Sequence, residues 1–101
     1  MDYTHSIQDG RCEVRLKGRF TFFDNKTFHI MCALFENPAI SSMVLDFENV
    51  GFIDSAALGM LLIAKEHAEK RQITLILARP SLSVEKAFRI SGFESLFTMK
   101  E

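Results

Sequence analysis

Two short, almost continuous apolar runs separated by one amphipathic helix constrain this chain more than any other feature of its sequence. In the first, Ser42 to Phe47, the residues Met43, Val44, Leu45 and Phe47 are apolar; in the second, Ile73-Thr74-Leu75-Ile76-Leu77-Ala78, all but Thr74 are. Runs this short read as strands, and apolar side chains on both sides of the pleat suit a strand covered on both faces. Between them, Ser55 to about Arg71 has helical spacing. Ala57, Leu61, Ala64 and Ala68 fall at i, i+4, i+7 and i+11 on one stripe, flanked by Leu58 and Leu62. A buried strand, a helix and a second buried strand make a crossover unit with parallel strands.

The flanking segments extend this pattern. Cys12 to Gly18 alternates apolar and polar residues, the period of a strand with one wet face, and Tyr3 to Gln8 is a weaker strand. Asp9-Gly10 between them can both take positive φ, as a type I′ turn needs, so the chain opens with a hairpin. After Phe20-Thr21-Phe22-Phe23, the pair Asp24-Asn25 supplies an N-cap for a helix marked by Phe28, Met31 or Cys32, and Phe35. That helix runs to about Glu36, and Asn37-Pro38 ends it. Ser83 caps a last helix that bears Val84, Ala87, Phe88 and Ile90, Gly92 closes it as a left-handed residue, and Phe93 to Thr98 forms a short strand or turn. The expected fold class is α/β: one domain over residues 1–101, with a small, mostly parallel mixed sheet, an N-terminal antiparallel hairpin and about three helices.

Composition removes several classes of function. With 101 residues, the chain has room for one core and none for a large cofactor cavity, so no cofactor is expected. The net charge is -1 and Lys and Arg form no run, which speaks against nucleic acid as a partner. The longest apolar stretch, Ala56 to Ala64, is interrupted by Gly59 and followed by Lys65, Glu66 and His67, too short for a membrane span. Met1 to Gly10 is polar and lacks the apolar run of a signal peptide. A cytoplasmic location is therefore expected, with Cys12 and Cys32 as free thiols.

Sites in open α/β sheets lie beyond the carboxyl ends of strands, where helix N-termini point free amide protons. Asp54-Ser55 occupies that place, at the start of the long helix. The plain reading of Ser55 is an N-cap whose hydroxyl accepts from the amide of about Leu58. The sharper reading is a phosphorylation site. A phosphate there sits at the positive end of the helix dipole, so it leaves the fold intact and changes the surface instead. Opposite the buried stripe, Ala56, Met60, Ile63 and His67 recur at the same helical spacing and are expected to form an outward apolar strip for a partner. Gly59 would admit a close backbone approach.

Catalysis is not expected. His5, His29 and His67 lie in separate elements without metal-ligand spacing, and His67 stands about 18 Å along the helix from Ser55, too far to act as its base. Gly51 and Gly59 lack the lysine of a phosphate loop, and Asp46, Glu48 and Asp54 read as strand-end caps or solvated carboxylates. Only a fluorophosphonate-reactive Ser55 would revive a hydrolase.

In Val44-Leu45-Asp46-Phe47, Phe52-Ile53-Asp54-Ser55 and Leu58-Gly59 the sequence resembles the STAS-domain anti-sigma factor antagonists. Leu16-Lys17-Gly18-Arg19-Phe20 is similar to that family's early strand and its glycine exit, and Ser91-Gly92-Phe93 with Leu96-Phe97 to its closing segment. The resemblance implies a partner switch. A serine kinase that is also the anti-sigma factor phosphorylates Ser55, a metal-dependent serine phosphatase reverses this, and the unmodified protein binds the kinase and frees the sigma factor. It implies partner contacts at Asp54, Ala56, Gly59, Met60, Ile63 and His67, and at Phe20, Thr21 and Phe22. This chain has Ala56 and Ala57 where the family often has a second serine followed by glycine, which leaves Ser55 as the acceptor. It also replaces the acidic residue common after the early glycine with Arg19-Phe20-Thr21-Phe22-Phe23. A non-phosphorylated STAS subunit of a transporter, such as a lipid-exporting ABC system, is the alternative.

Overall fold

A computed structural model describes residues 1–101. Two strands, β1 (Asp2–Gln8) and β2 (Arg11–Phe20), form the opening hairpin, and both turn residues take positive φ, 51° at Asp9 and 80° at Gly10. Glycine suits the second of these, since a side chain is strained at that φ and its Cβ would crowd Ser41 Oγ at 2.8 Å. Three crossovers follow, through α1 (Asn25–Met31) to β3 (Ser42–Ile53), through α2 (Ser55–Lys70) to β4 (Thr74–Ala78), and through α3 (Leu82–Ile90) to β5 (Thr98–Lys100). The strands lie in sequence order, with β1 antiparallel to β2 and every other pair parallel.

Because the parallel strands follow one another across the sheet, each right-handed crossover steps the same way and lays its helix on the same face. The core shows this alternation. Val14, Leu16, Met43, Leu45, Phe47, Leu75 and Leu77 join Phe28, Met31, Leu61, Val84 and Phe88 in one cluster, while Val44 and Ala78 point to the other side. The helices thus cover one face only, yet the expectation of strands buried on both faces holds at Val44 and Ala78, each 1% exposed. Val44 and Asp46 are buried on the helix-free face, where Arg79 is hydrogen-bonded to Asp46 and lies 3.5 Å from the Glu13 carboxylate. Burial pushes the Asp46 carboxyl up, but the Arg79 guanidinium and the Glu48 amide bonded to it hold the group below its ordinary range.

Four element boundaries differ from the sequence reading. The second strand continues past Phe47 to Ile53. Glu48, Asn49 and Gly51 read as loop, yet Val50 and Ile53 are core residues and this half of β3 pairs with β2 alone, beyond the end of β4. Likewise β2 runs past Gly18 to Phe20, with register shifts on either side of Gly18 that let both strands end together. The first helix is not continuous. A 3-10 turn (Phe22–Asp24) precedes α1 and another (Cys32–Glu36) follows it. The Asp24 carboxylate caps nothing in α1, because it accepts instead from the Thr21 amide at 2.8 Å and from the Met1 ammonium at 2.7 Å. Asn37 is extended before Pro38, as expected. At α3 the cap is Ser81, whose hydroxyl accepts from Val84 N, and Ser83 is one of the first helical residues. Gly92, at φ 72°, closes α3 as anticipated, and Cys12 and Cys32 are both free and buried.

Candidate functional site

The strand ends and the start of α2 meet at Asp54. Its backbone N–H donates to the Phe20 carbonyl at 3.2 Å, which joins the exit of β3 to that of β2. Its side chain then serves two donors: Oδ1 accepts from Ala57 N at 2.8 Å and Oδ2 from Phe22 N at 3.0 Å. Asp54, in extended conformation, is thus the N-cap of α2, and Ser55 is the first helical residue. This corrects the assignment of the cap to Ser55. A carboxylate has two oxygens, and Asp54 gives one to the helix and the other to the neighbouring turn. Ser55 is exposed, and its hydroxyl enters no hydrogen bond within the chain.

The expected outward strip divides. Ile63 is 52% exposed, but Met60 is only 6% exposed and belongs to the core, and Ala56 is half-buried. His67 is half-buried too, its ring stacked on Phe35 with centroids 5.9 Å apart, so Met60 and His67 are removed from the outer face. The cause is the 3-10 turn after α1, which packs beside α2 and widens its buried face beyond the alanine stripe. Residues three, four and seven positions after Ser55 form the actual outer strip: half-buried Leu58 and Gly59, and Leu62 at 41% exposure. Counting helical spacing from Ser55 itself would have selected them. A Cβ added to Gly59 would meet nothing within 4 Å, so packing within the chain does not require glycine there.

The segment between β2 and α1 also separates into inner and outer residues. Phe20 is fully buried and stacks on Phe28 at 5.1 Å between centroids, which takes it out of any contact surface. Thr21 is half-buried and forms a capping box with Asp24, its hydroxyl accepting from Phe23 N. Phe22 and Phe23, in contrast, are 62% and 91% exposed, edge to face at 5.9 Å. Phe23, outside the expected contact residues, is thus the more exposed of the two. The four residues Thr21-Phe22-Phe23-Asp24 have capping-box spacing, which is the signal that would have turned both rings outward. Close by in the chain's fold, the Arg19 guanidinium lies 4.3 Å from the ring centre of half-exposed Phe52.

The start of α2 therefore carries one free hydroxyl beside an apolar surface of exposed Phe22, Phe23, Leu62 and Ile63 and half-buried Leu58. No group of three or more His, Cys, Asp or Glu residues is arranged to hold a metal, and no helix is long and apolar enough to cross a membrane.

A family model described as the STAS domain matches residues 4–101. The chain belongs to the STAS domain family. A STAS-domain containing protein of Pseudomonas aeruginosa, PA14_20770, is 37% identical over 86 residues, which span 83% of this chain and 82% of that protein. Among solved structures, the STAS fold here is similar to an anti-sigma factor antagonist from Mycobacterium paratuberculosis, with TM-score 0.86, 16% identity, and coverage of 98% of this chain and 84% of that one. The phosphorylated form of the Bacillus cell fate determinant SpoIIAA matches with TM-score 0.73, 20% identity, and coverage of 97% and 90%. A sulfate transporter family protein from Wolinella succinogenes matches with TM-score 0.80, 20% identity, and coverage of 94% and 80%. At these identities the structural neighbours establish a shared fold.

Proposed function

We propose that this STAS domain is an anti-sigma factor antagonist whose partner binding is switched by phosphorylation of Ser55. The observation that carries the reading is the free, exposed Ser55 hydroxyl at the first turn of α2, bordered by the exposed apolar side chains of Phe22, Phe23, Leu62 and Ile63. In the unmodified state the surface of Leu58, Gly59, Leu62, Ile63, Phe22 and Phe23 docks on an anti-sigma factor that is also a serine kinase. The kinase moves the γ-phosphoryl group of ATP to Ser55 Oγ: the Oγ–P bond forms, the bond to ADP breaks, and the hydroxyl proton passes to a base on the kinase. Nearly two negative charges then stand beside Asp54, at a helix terminus that tolerates them and against an apolar interface that does not. Release follows, and a metal-dependent serine phosphatase restores the hydroxyl. This cycle runs in the cytoplasm and makes the domain a binding protein, with the chemistry done by its partners.

Incubation with the cognate kinase and ATP, followed by mapping of the phosphate by mass spectrometry, tests the assignment. Labelling is expected at Ser55 and lost in Ser55→Ala; labelling that survives this substitution overturns it. Ser55→Asp is expected to fold normally and bind the unmodified protein's partner at least about tenfold more weakly. The sulfate transporter family neighbour supports one other reading, a STAS subunit of a transporter such as a lipid-exporting ABC system. Co-purification with an ATPase subunit, unaffected by Ser55→Asp, would favour it.

A further inference from the structure

We propose that Asp54 is a positioning residue that couples Ser55 to the Phe22–Phe23 turn, so that a phosphate on Ser55 loosens this turn as well as charging the helix start. This rests on the phosphorylation reading above and adds to it a second, mechanical consequence. Phe22 and Phe23 have little burial to hold them. Within the turn, Thr21 N donates to Asp24 Oδ2 at 2.8 Å, Phe23 N to Thr21 Oγ1 at 3.3 Å, and Asp24 N to the Thr21 carbonyl at 2.9 Å. Those bonds shape the turn but do not attach it to α2. Past Phe20, attachment comes from Phe22 N–H donating to Asp54 Oδ2, the oxygen the helix cap leaves over.

That carboxylate is the nearest anion to Ser55 along the chain. The Ser55 and Ala56 amides, at the head of α2, have no intrahelical acceptor and draw a phosphate toward the helix axis. A dianion held there repels the Asp54 carboxylate, and the weaker of its two bonds yields. The Ala57 bond is shorter and reinforced by the helix dipole; the Phe22 bond reaches across to another segment. Two exposed phenylalanines of the docking surface would thus lose their fixed orientation when Ser55 is modified, and a partner would have to order them again on binding.

Amide hydrogen exchange measured by NMR on the full chain tests this. In Ser55→Asp the Phe22 amide is expected to exchange about tenfold faster than in the unsubstituted protein, the effect of losing a bond to a charged acceptor. The Asp24 amide, bonded inside the turn, should keep its rate. An unchanged Phe22 rate, or equal acceleration at Asp24, overturns the coupling. Asp54→Asn keeps an oxygen for the helix cap and places an amide nitrogen toward Phe22, so it should reproduce the faster exchange by itself. Adding Ser55→Asp to it should accelerate Phe22 no further, and additional acceleration in the double variant would overturn the role of this carboxylate. Partner affinity separates the two proposals. Loss of binding in Ser55→Asp with Phe22 exchange unchanged removes the coupling alone, whereas faster exchange with full affinity removes the switch.

Discussion

Two helix starts in this fold carry serines, and they use them differently. At α3, Ser81 Oγ donates to the Val50 carbonyl at 2.9 Å while accepting from Val84 N, and Ser83 Oγ donates to the Gly51 carbonyl at 2.8 Å. Both hydroxyls are spent on holding α3 to the exit half of β3. At α2 the same work is done by Asp54, which caps the helix and holds the neighbouring turn, and Ser55 is left with nothing to hold. The difference shows how a fold leaves a hydroxyl free: a carboxylate with two acceptor oxygens takes the structural task, and the adjacent serine makes no hydrogen bond within the chain.

The largest test of this contrast concerns what holds each helix to the fold. α3 rests on Phe88, which meets Phe47 edge-on at 5.3 Å and stacks on Phe93 at 5.6 Å. Phe88→Ala is expected to cost about 3–5 kcal/mol in urea unfolding, and a cost below about 1 kcal/mol would mean that α3 is held by its serine bonds instead. At α2, Asp54→Ala removes both the cap and the acceptor for Phe22, for an expected loss of about 2 kcal/mol by the same measurement. Ser81→Ala should lose about 1 kcal/mol.

Acid unfolding separates the anchors further. The lead into α3 passes through Arg79, paired with Asp46, whose carboxyl lies below its ordinary range in the folded state. Asp24, beneath the aromatic turn, is also lowered: burial raises it, but bonds from the Met1 ammonium and the Thr21 amide outweigh that. A depressed folded value means the stabilisation is complete above the unfolded carboxyl value and is lost as pH falls through the folded one. Stability should therefore decline from about pH 4 downward, and less steeply in Asp46→Asn, as followed by circular dichroism against pH.

Smaller effects of opposite sign are expected on α2 itself. Gly59→Ala should stabilise the fold by about 1 kcal/mol, because the added methyl meets open space, while weakening partner binding measured by calorimetry. Unchanged binding would take Gly59 out of the docking surface. Smallest of all, Ser55→Ala should leave the unfolding midpoint within about 0.5 kcal/mol of the unsubstituted protein. A larger loss would return Ser55 to a structural role and dissolve the contrast with α3.

Much of this was legible without coordinates. The apolar runs of β3 and β4, the alanine stripe of α2, the Asp9-Gly10 hairpin and the Gly92 stop are local patterns in which each residue's period or backbone preference decides its own fate. The segments misread were those where a distant partner overrides local preference. Glu48-Asn49-Val50-Gly51 is strand because β2 bends to pair with it, Asp24 is drawn away from α1 by Thr21 and Met1, and Met60 and His67 turn inward because the turn holding Phe35 lies beside α2.

The sequence by itself determined that strands and helices alternate, that Asp54-Ser55 falls where a strand gives way to a helix, and that Ala57, Leu61, Ala64 and Ala68 face inward. These follow from short-range sterics and from periodicity, which act over a few residues. Only the tertiary structure decided which serine is free, which apolar residues remain outside, and that Asp54 reaches Phe22 across 32 positions of chain. A hydrogen-bond acceptor is used up, or a side chain covered, by whatever packs beside it, and no local pattern records that neighbour.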